Sequence, residues 1–250
     1  MVGAPGPRPS SRSRPGAQHR PADLDPRLGP QHVPQLFWAE DYHREIADLL
    51  DGEDSTEWHG RRFCSVLLAR MLCPLDWDAA ARYLDLPDAF TNDAYNLTFA
   101  KLRSNNRFTE LATGVKRIAN KHAESGLIDY KQRRATLADW DGIDTKSWQL
   151  IEPRPRPLPP RHVDEPIRRA ESSIWLWCQL TSGDERAAPI PLRTTRELSD
   201  QAEFIRDDLP TLRDRLLILG ELLIATPAEA RSTLHNHLAA SLHKHGHLGP

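Results

Sequence analysis

Eleven histidines, three cysteines and one polar helical face are the places where this 250-residue chain could do chemistry. His235, His237, His243, His245 and His247 gather near the C-terminus. A metal site needs two or three ligands on one face, whereas His235 and His237, two residues apart, point about 200° from each other on a helix. The other three fall in a Gly-containing stretch, so no metal is expected. Cys64, Cys73 and Cys178 lack C-x-x-C spacing, and their odd number and apolar neighbours suit reduced, small core residues rather than nucleophiles. None of G-x-x-x-x-G-K-[ST], G-x-S-x-G and H-E-x-x-H occurs, which excludes a P-loop ATPase and the commonest hydrolase and zinc-protease signatures. The chain is therefore expected to be non-enzymatic, with no cofactor.

The remaining chemistry is recognition. Trp77 to Leu84 is a short helical run with Asp76 as its N-cap, and its alanines let a following helix cross closely. After Leu86 and Pro87, a second run with Asp88 as cap extends from Ala89 to Arg103. This is the layout of a helix-turn-helix. If Phe90, Ala94 and Leu97 pack inward, Thr91, Asn92, Tyr95, Asn96, Thr98, Lys101 and Arg103 face solvent, and such side chains reach base edges and phosphates. Two features depart from the pattern: Asp85 holds the turn position usually given to glycine, and Thr91 stands where an apolar residue is expected. A plain pair of structural helices is the competing reading.

Charge favours the first reading. The net charge of −2 is a cancellation: residues 35–60 carry eight acids and one arginine, whereas 101–134 carry nine Lys or Arg and three acids. A basic face supplies the sequence-independent, phosphate-directed part of DNA binding. Arg107, Lys116, Arg117 and Lys121 are accordingly assigned to phosphates, beside Lys101 and Arg103.

The elements that must position these residues are helical. Phe63, Val66, Leu67 and Met71 mark one face, ending before Pro74. Phe108, Leu111, Val115, Ile118 and His122 form one stripe on a helix of eighteen residues, with Lys116, Arg117, Asn120 and Lys121 opposite. Further helical runs are Tyr130 to Trp140, Asp144 to Ile151, Ile167 to Leu180, Thr194 to Leu209, Thr211 to Ala225 and Ala228 to Lys244. Nothing alternates with period two, so the fold class is all-α. Trp175 and Trp177 read as an aromatic platform or as core wedges, and Leu209, Leu212, Leu216, Leu219 and Leu223 as core or as a partner-helix seam. Fourteen of the 21 prolines lie in two segments, eight over 5–34 and six over 153–166. The expected organisation is a disordered Pro/Arg tail over 1–33, a helical DNA-binding domain over 34–151, a proline-rich linker over 152–166 and a smaller helical C-terminal module over 167–250. The linker's P-x-x-P arrangement reads as plain spacer or as docking element. The longest apolar run, Leu216 to Ala225, is far short of the ~18 to 20 residues that span a bilayer, and Met1 to Gly16 has no apolar signal core. No membrane association and a cytoplasmic location are expected.

Several short runs, in a consistent order over residues 31–186, carry a resemblance. They are His32-Val33-Pro34-Gln35-Leu36, Arg61-Arg62-Phe63-Cys64-Ser65, Trp77 to Leu86, Leu127-Ile128-Asp129-Tyr130 with Arg133-Arg134, Trp148, Trp175-Leu176-Trp177 and Leu180-Thr181-Ser182-Gly183-Asp184. Together they resemble the C-terminal region of actinobacterial TniQ-type transposition proteins, without the N-terminal zinc-binding module of that family. The resemblance implies helical recognition of double-stranded target DNA, no chemistry of its own, and a transposition ATPase or transposase as partner.

Overall fold

Asp76 shows how local sequence starts a helix here: its carboxylate accepts from the Ala79 amide at 2.7 Å, satisfying a donor that the first turn leaves open. Asp129 and Asp144 do the same for the helices that follow them. The computed structural model describes residues 20–50, 54–86, 107–152, 165–190 and 209–247. Among them it is all-α, without a strand. The helices are α1 (Ala39–Glu45), α2 (Asp54–Leu72), α3 (Trp77–Tyr83), α4 (Phe108–Ser125), α5 (Tyr130–Thr136), α6 (Thr145–Ile151), α7 (Glu165–Thr181), α8 (Leu209–Ala225) and α9 (Leu234–Lys244), with short 3-10 turns between some of them. The expected helices Ala89 to Arg103 and Thr194 to Leu209 lie outside the described residues, except for Leu209 at the start of α8.

Two hydrophobic clusters organise the chain. The first surrounds α2, whose Phe63, Cys64, Val66, Leu67, Leu68, Ala69 and Leu72 are all buried; α3 and α4 pack on it. The stripe expected on α4 is realised, with Leu111, Val115 and Ile118 fully buried. The second cluster joins α6, α7, α8 and α9. Leu209, Leu212, Leu216, Leu219 and Leu223 are buried in it, so the leucine stripe is core. Trp177 is core as well, and its indole leaves no room for a side chain at position 183, where a Cβ would come within 2.2 Å of the ring. Trp175 stays half-buried.

Two boundaries differ from the expected ones. The disordered tail was expected to reach residue 33, and its stretch 1–19 lies outside the described residues. Residues 20–33 are instead laid on the first cluster, with Leu24, Leu28 and Val33 at 3%, 3% and 0% exposure. Two leucines four apart suffice, because turn bonds from Leu24 to the Pro21 carbonyl and from Leu28 to the Asp25 carbonyl aim both inward. The second cluster also begins before the proline segment: Leu137, Trp140, Ile143, Trp148 and Ile151 belong with α7 to α9, not with the first cluster. The seam between cores therefore lies before the proline segment. The spacer itself, 153–164, lies outside the described residues.

The clusters meet at the loop after α7. Asp184 forms an ion pair with Arg62 of α2, and both side chains are buried, at 0% and 1% exposure. The Leu36 amide donates to the Ser182 carbonyl at 3.1 Å. Gln35, itself buried, accepts from the Asp184 amide at 3.2 Å and donates to the Leu84 carbonyl at 2.7 Å. From the other side, Arg133 donates to the Leu180 carbonyl at 3.0 Å. Removing one member of a buried pair strands the other charge, at about 3 to 5 kcal/mol. Asp184→Ala should therefore lower the unfolding free energy by about that much in urea titration, while the double variant Arg62→Met/Asp184→Leu should regain most of it. A double variant no more stable than Asp184→Ala would show that the loss does not come from a stranded buried charge.

Candidate nucleic-acid interface

Helix α3 ends in a left-handed residue. Asp85 has φ of 57°, the Leu86 amide donates to the Ala81 carbonyl at 3.1 Å, and the Asp85 amide to the Arg82 carbonyl at 3.0 Å. These are the two bonds of a Schellman stop, which usually takes glycine at the left-handed position and tolerates Asp or Asn. The aspartate that departs from the sequence pattern thus occupies the conformation the pattern requires. Its carboxylate is held 3.3 Å from Nε of Arg134, and its carbonyl accepts from Gln35 at 3.3 Å. Ala80, Ala81, Leu84 and Leu86 are turned into the first cluster, and Arg82 is exposed. Beside it Lys131 lies over the Tyr83 ring at 3.7 Å. Sequence reasoning did not assign Arg82 or Lys131 to phosphates. Arg82 stands in the last turn of α3 and Lys131 in the first turn of α5, a proximity that only the fold brings about.

The helix expected to read the groove cannot be placed: Thr91, Asn92, Tyr95, Asn96, Lys101 and Arg103 lie outside the described residues. Arg107, Lys116, Arg117 and Lys121 do come together along α4, but they do not stand alone. Lys116 is ion-paired with Asp23. Arg117 meets Glu45 at 2.6 Å, and Lys121 meets Asp41 at 2.8 Å. Arg107 donates to the Asp48 carbonyl at 3.0 Å. Between them Asn120 donates to the Asp23 carbonyl and accepts from the Asp25 amide, both at 2.8 Å. Two acids of the 35–60 stretch, Asp41 and Glu45, are thus in contact with bases of the 101–134 stretch.

Asp41 is the most enclosed of these acids. Its side chain is 7% exposed and bonded to Arg44, Lys121 and His122. Burial pushes its carboxyl up, but hydrogen bonds from Lys121 and His122, reinforced by their charge, outweigh burial and hold it below the usual value. His122 reaches Asp41 through Nε2 at 2.7 Å and stacks on Trp38, with ring centroids 3.9 Å apart and 8° between planes. Trp38 in turn donates to the Tyr130 hydroxyl at 3.1 Å. Next to this stack an open cleft of about 720 Å³ separates the clusters, lined by Trp38, Trp58, Trp175, Glu40, Glu57 and Arg61 among others.

The three cysteines are held as thiols, and the C-terminal histidines do not converge among the described residues. Burial raises all three thiols above their usual range, Cys178 to about 12, so they are protonated at neutral pH. Among the described residues, no group of three or more His, Cys, Asp or Glu is placed to hold a metal ion, and the C-terminal histidines are dispersed on α9 and its exit, with His245 bonded back to the Ser241 carbonyl. No helix among these residues is long and apolar enough to cross a membrane. No protein-family model, curated protein or solved structure matches the chain.

A carboxyl held below its usual value adds stability that is fully present above its unfolded pKa, ~3.9, and disappears as the pH falls through the lower folded value. Asp41→Asn should therefore be less stable than wild type by about 1 to 3 kcal/mol at pH 7, with the gap closing below pH ~4. Urea midpoints measured from pH 7 to pH 2 check this; a gap that stays constant over the range would contradict it.

Proposed function

We infer that the protein is a non-enzymatic double-stranded-DNA-binding protein of the TniQ type, acting in transposon target recognition or a related mobile-element role with a transposition ATPase or transposase as partner. The observation that carries this reading is the turn after α3. An N-capped helix with a small-residue inner face is stopped by a left-handed Asp85, and the next segment of chain carries the polar set Thr91, Asn92, Tyr95, Asn96, Lys101 and Arg103. Two cations lie near that turn outside the segment: Arg82, exposed at the end of α3, and Lys131, over the Tyr83 ring. The resemblance stated from the sequence adds to this. Several of the runs that carry it, those around Gln35, Arg62, Leu84, Arg133 and Asp184, meet at the loop after α7.

In this reading the segment from Asp88 to Arg103 enters a groove, while Lys101, Arg103, Arg107 and the α4 cations contact phosphates. Pairing of the α4 cations with carboxylates does not forbid this. Such exposed pairs are worth only about 0 to 1 kcal/mol each, and duplex DNA offers one phosphate charge per ~1.7 Å. The same pairing favours a second reading, a helical protein-interaction module without DNA contact, in which the basic stripe is simply a solvated, internally neutralised face.

Equilibrium binding of the full chain to a mixed-sequence duplex, measured against salt, separates the two. DNA binding predicts measurable affinity at ~50 mM salt and a log-log slope that falls by roughly one for each phosphate contact removed in Lys101→Ala and Arg103→Ala. Undetectable binding at that salt, or an unchanged slope in both variants, would favour the interaction module.

A further inference from the structure

The cations of α4 are already met by acceptors from earlier in the chain, on the side chains that would contact phosphates. Lys116, Arg117, Asn120 and Lys121 form one polar stripe, and each is met by a group from residues 23–45: the Asp23 carboxylate, the Glu45 carboxylate, the Asp23 and Asp25 backbone, and the Asp41 carboxylate. Arg107, at the start of α4, takes the Asp48 carbonyl. This row of acceptors cannot drift away, because Leu24 and Leu28 anchor the 20–28 segment in the core and α1 carries Asp41 and Glu45. Yet one end of each pair is open to solvent: the Asp23, Arg117 and Lys121 side chains are 61%, 67% and 54% exposed, against 18% for Glu45 and 7% for Asp41. The exposed partner of each pair can swing away.

Resting on the DNA-binding reading above, we propose that this acidic row is a built-in competitor for phosphate, which lowers the affinity of the α4 face for DNA. Any duplex approaching α4 must displace Asp23, Glu45 and Asp41 from their cations. Each exposed pair resists by no more than about fivefold, so the competitor weakens binding without abolishing it. The weakening falls on the sequence-independent term, so it lowers specific and non-specific affinity alike.

The test uses the full chain in three forms: wild type, Asp23→Asn/Glu45→Gln, and the control Asp139→Asn/Glu229→Gln. The control makes the same change in net charge at exposed positions away from α4. Affinity for one mixed-sequence duplex is measured at ~50 and ~200 mM salt. The competitor predicts that Asp23→Asn/Glu45→Gln binds roughly 3- to 30-fold tighter than wild type at the lower salt, with the advantage shrinking at the higher salt as the pairs are screened. It predicts a control within about twofold of wild type. If wild type binds and Asp23→Asn/Glu45→Gln binds equally, the competitor is overturned while the DNA reading stands. A control that gains as much as the α4 variant overturns it too, since net charge then explains the gain. If none of the three binds, both fall together.

Discussion

A guanidinium and a carboxylate taken out of water hold the two cores of this protein together. Moving charges into a low-dielectric interior is costly, and mutual attraction offsets that cost only when geometry and further hydrogen bonds are good. Arg62 and Asp184 sit at the seam, and what surrounds them serves to keep them paired. Gln35 takes the Asp184 amide with one end of its side chain and the α3 stop with the other. Ser182, at φ of 44°, turns the loop so that its carbonyl meets the Leu36 amide. The narrow space left by Trp177 admits only glycine at 183. Slack at any of these points would expose or misalign the pair.

This constraint explains why the turn after α3 is so firmly set. The carbonyls of Leu84 and Asp85 are bonded to Gln35, and the Asp85 carboxylate to Arg134, so the direction in which the chain leaves α3 is fixed by residues 50 positions away on either side. The polar stripe of α4 is set by a different arrangement. Its charges are neutralised by the segment that precedes α1 and by α1 itself.

Much of this was legible in the sequence, and unevenly. The α4 stripe from Phe108 to His122, the cap at Asp76 and the leucine stripe of α8 follow from spacing alone, because local periodicity decides them. The acid-rich and base-rich stretches were legible as compositions, but their contact was not, since nothing local says that Glu45 will lie against Arg117. The 20–33 segment was misread because only Leu24, Leu28 and Val33 anchor it, too few for composition to register. The boundary between cores was misplaced at the prolines because the seam is tertiary: Trp148 and Ile151 belong with α8 and α9, which the sequence places some 60 or more residues later. Asp85 was read as a flaw when it is a left-handed residue of a type that tolerates that conformation.

The central claim is that α4 exchanges carboxylates for phosphates when DNA arrives. Side-chain nitrogen NMR of the full chain, titrated with a short duplex at low salt, observes that exchange directly. The account predicts that the Lys116, Arg117 and Lys121 signals move together and saturate with the duplex. Signals on α4 that stay fixed, whether nothing moves or the changes fall on α8 and α9, would contradict it.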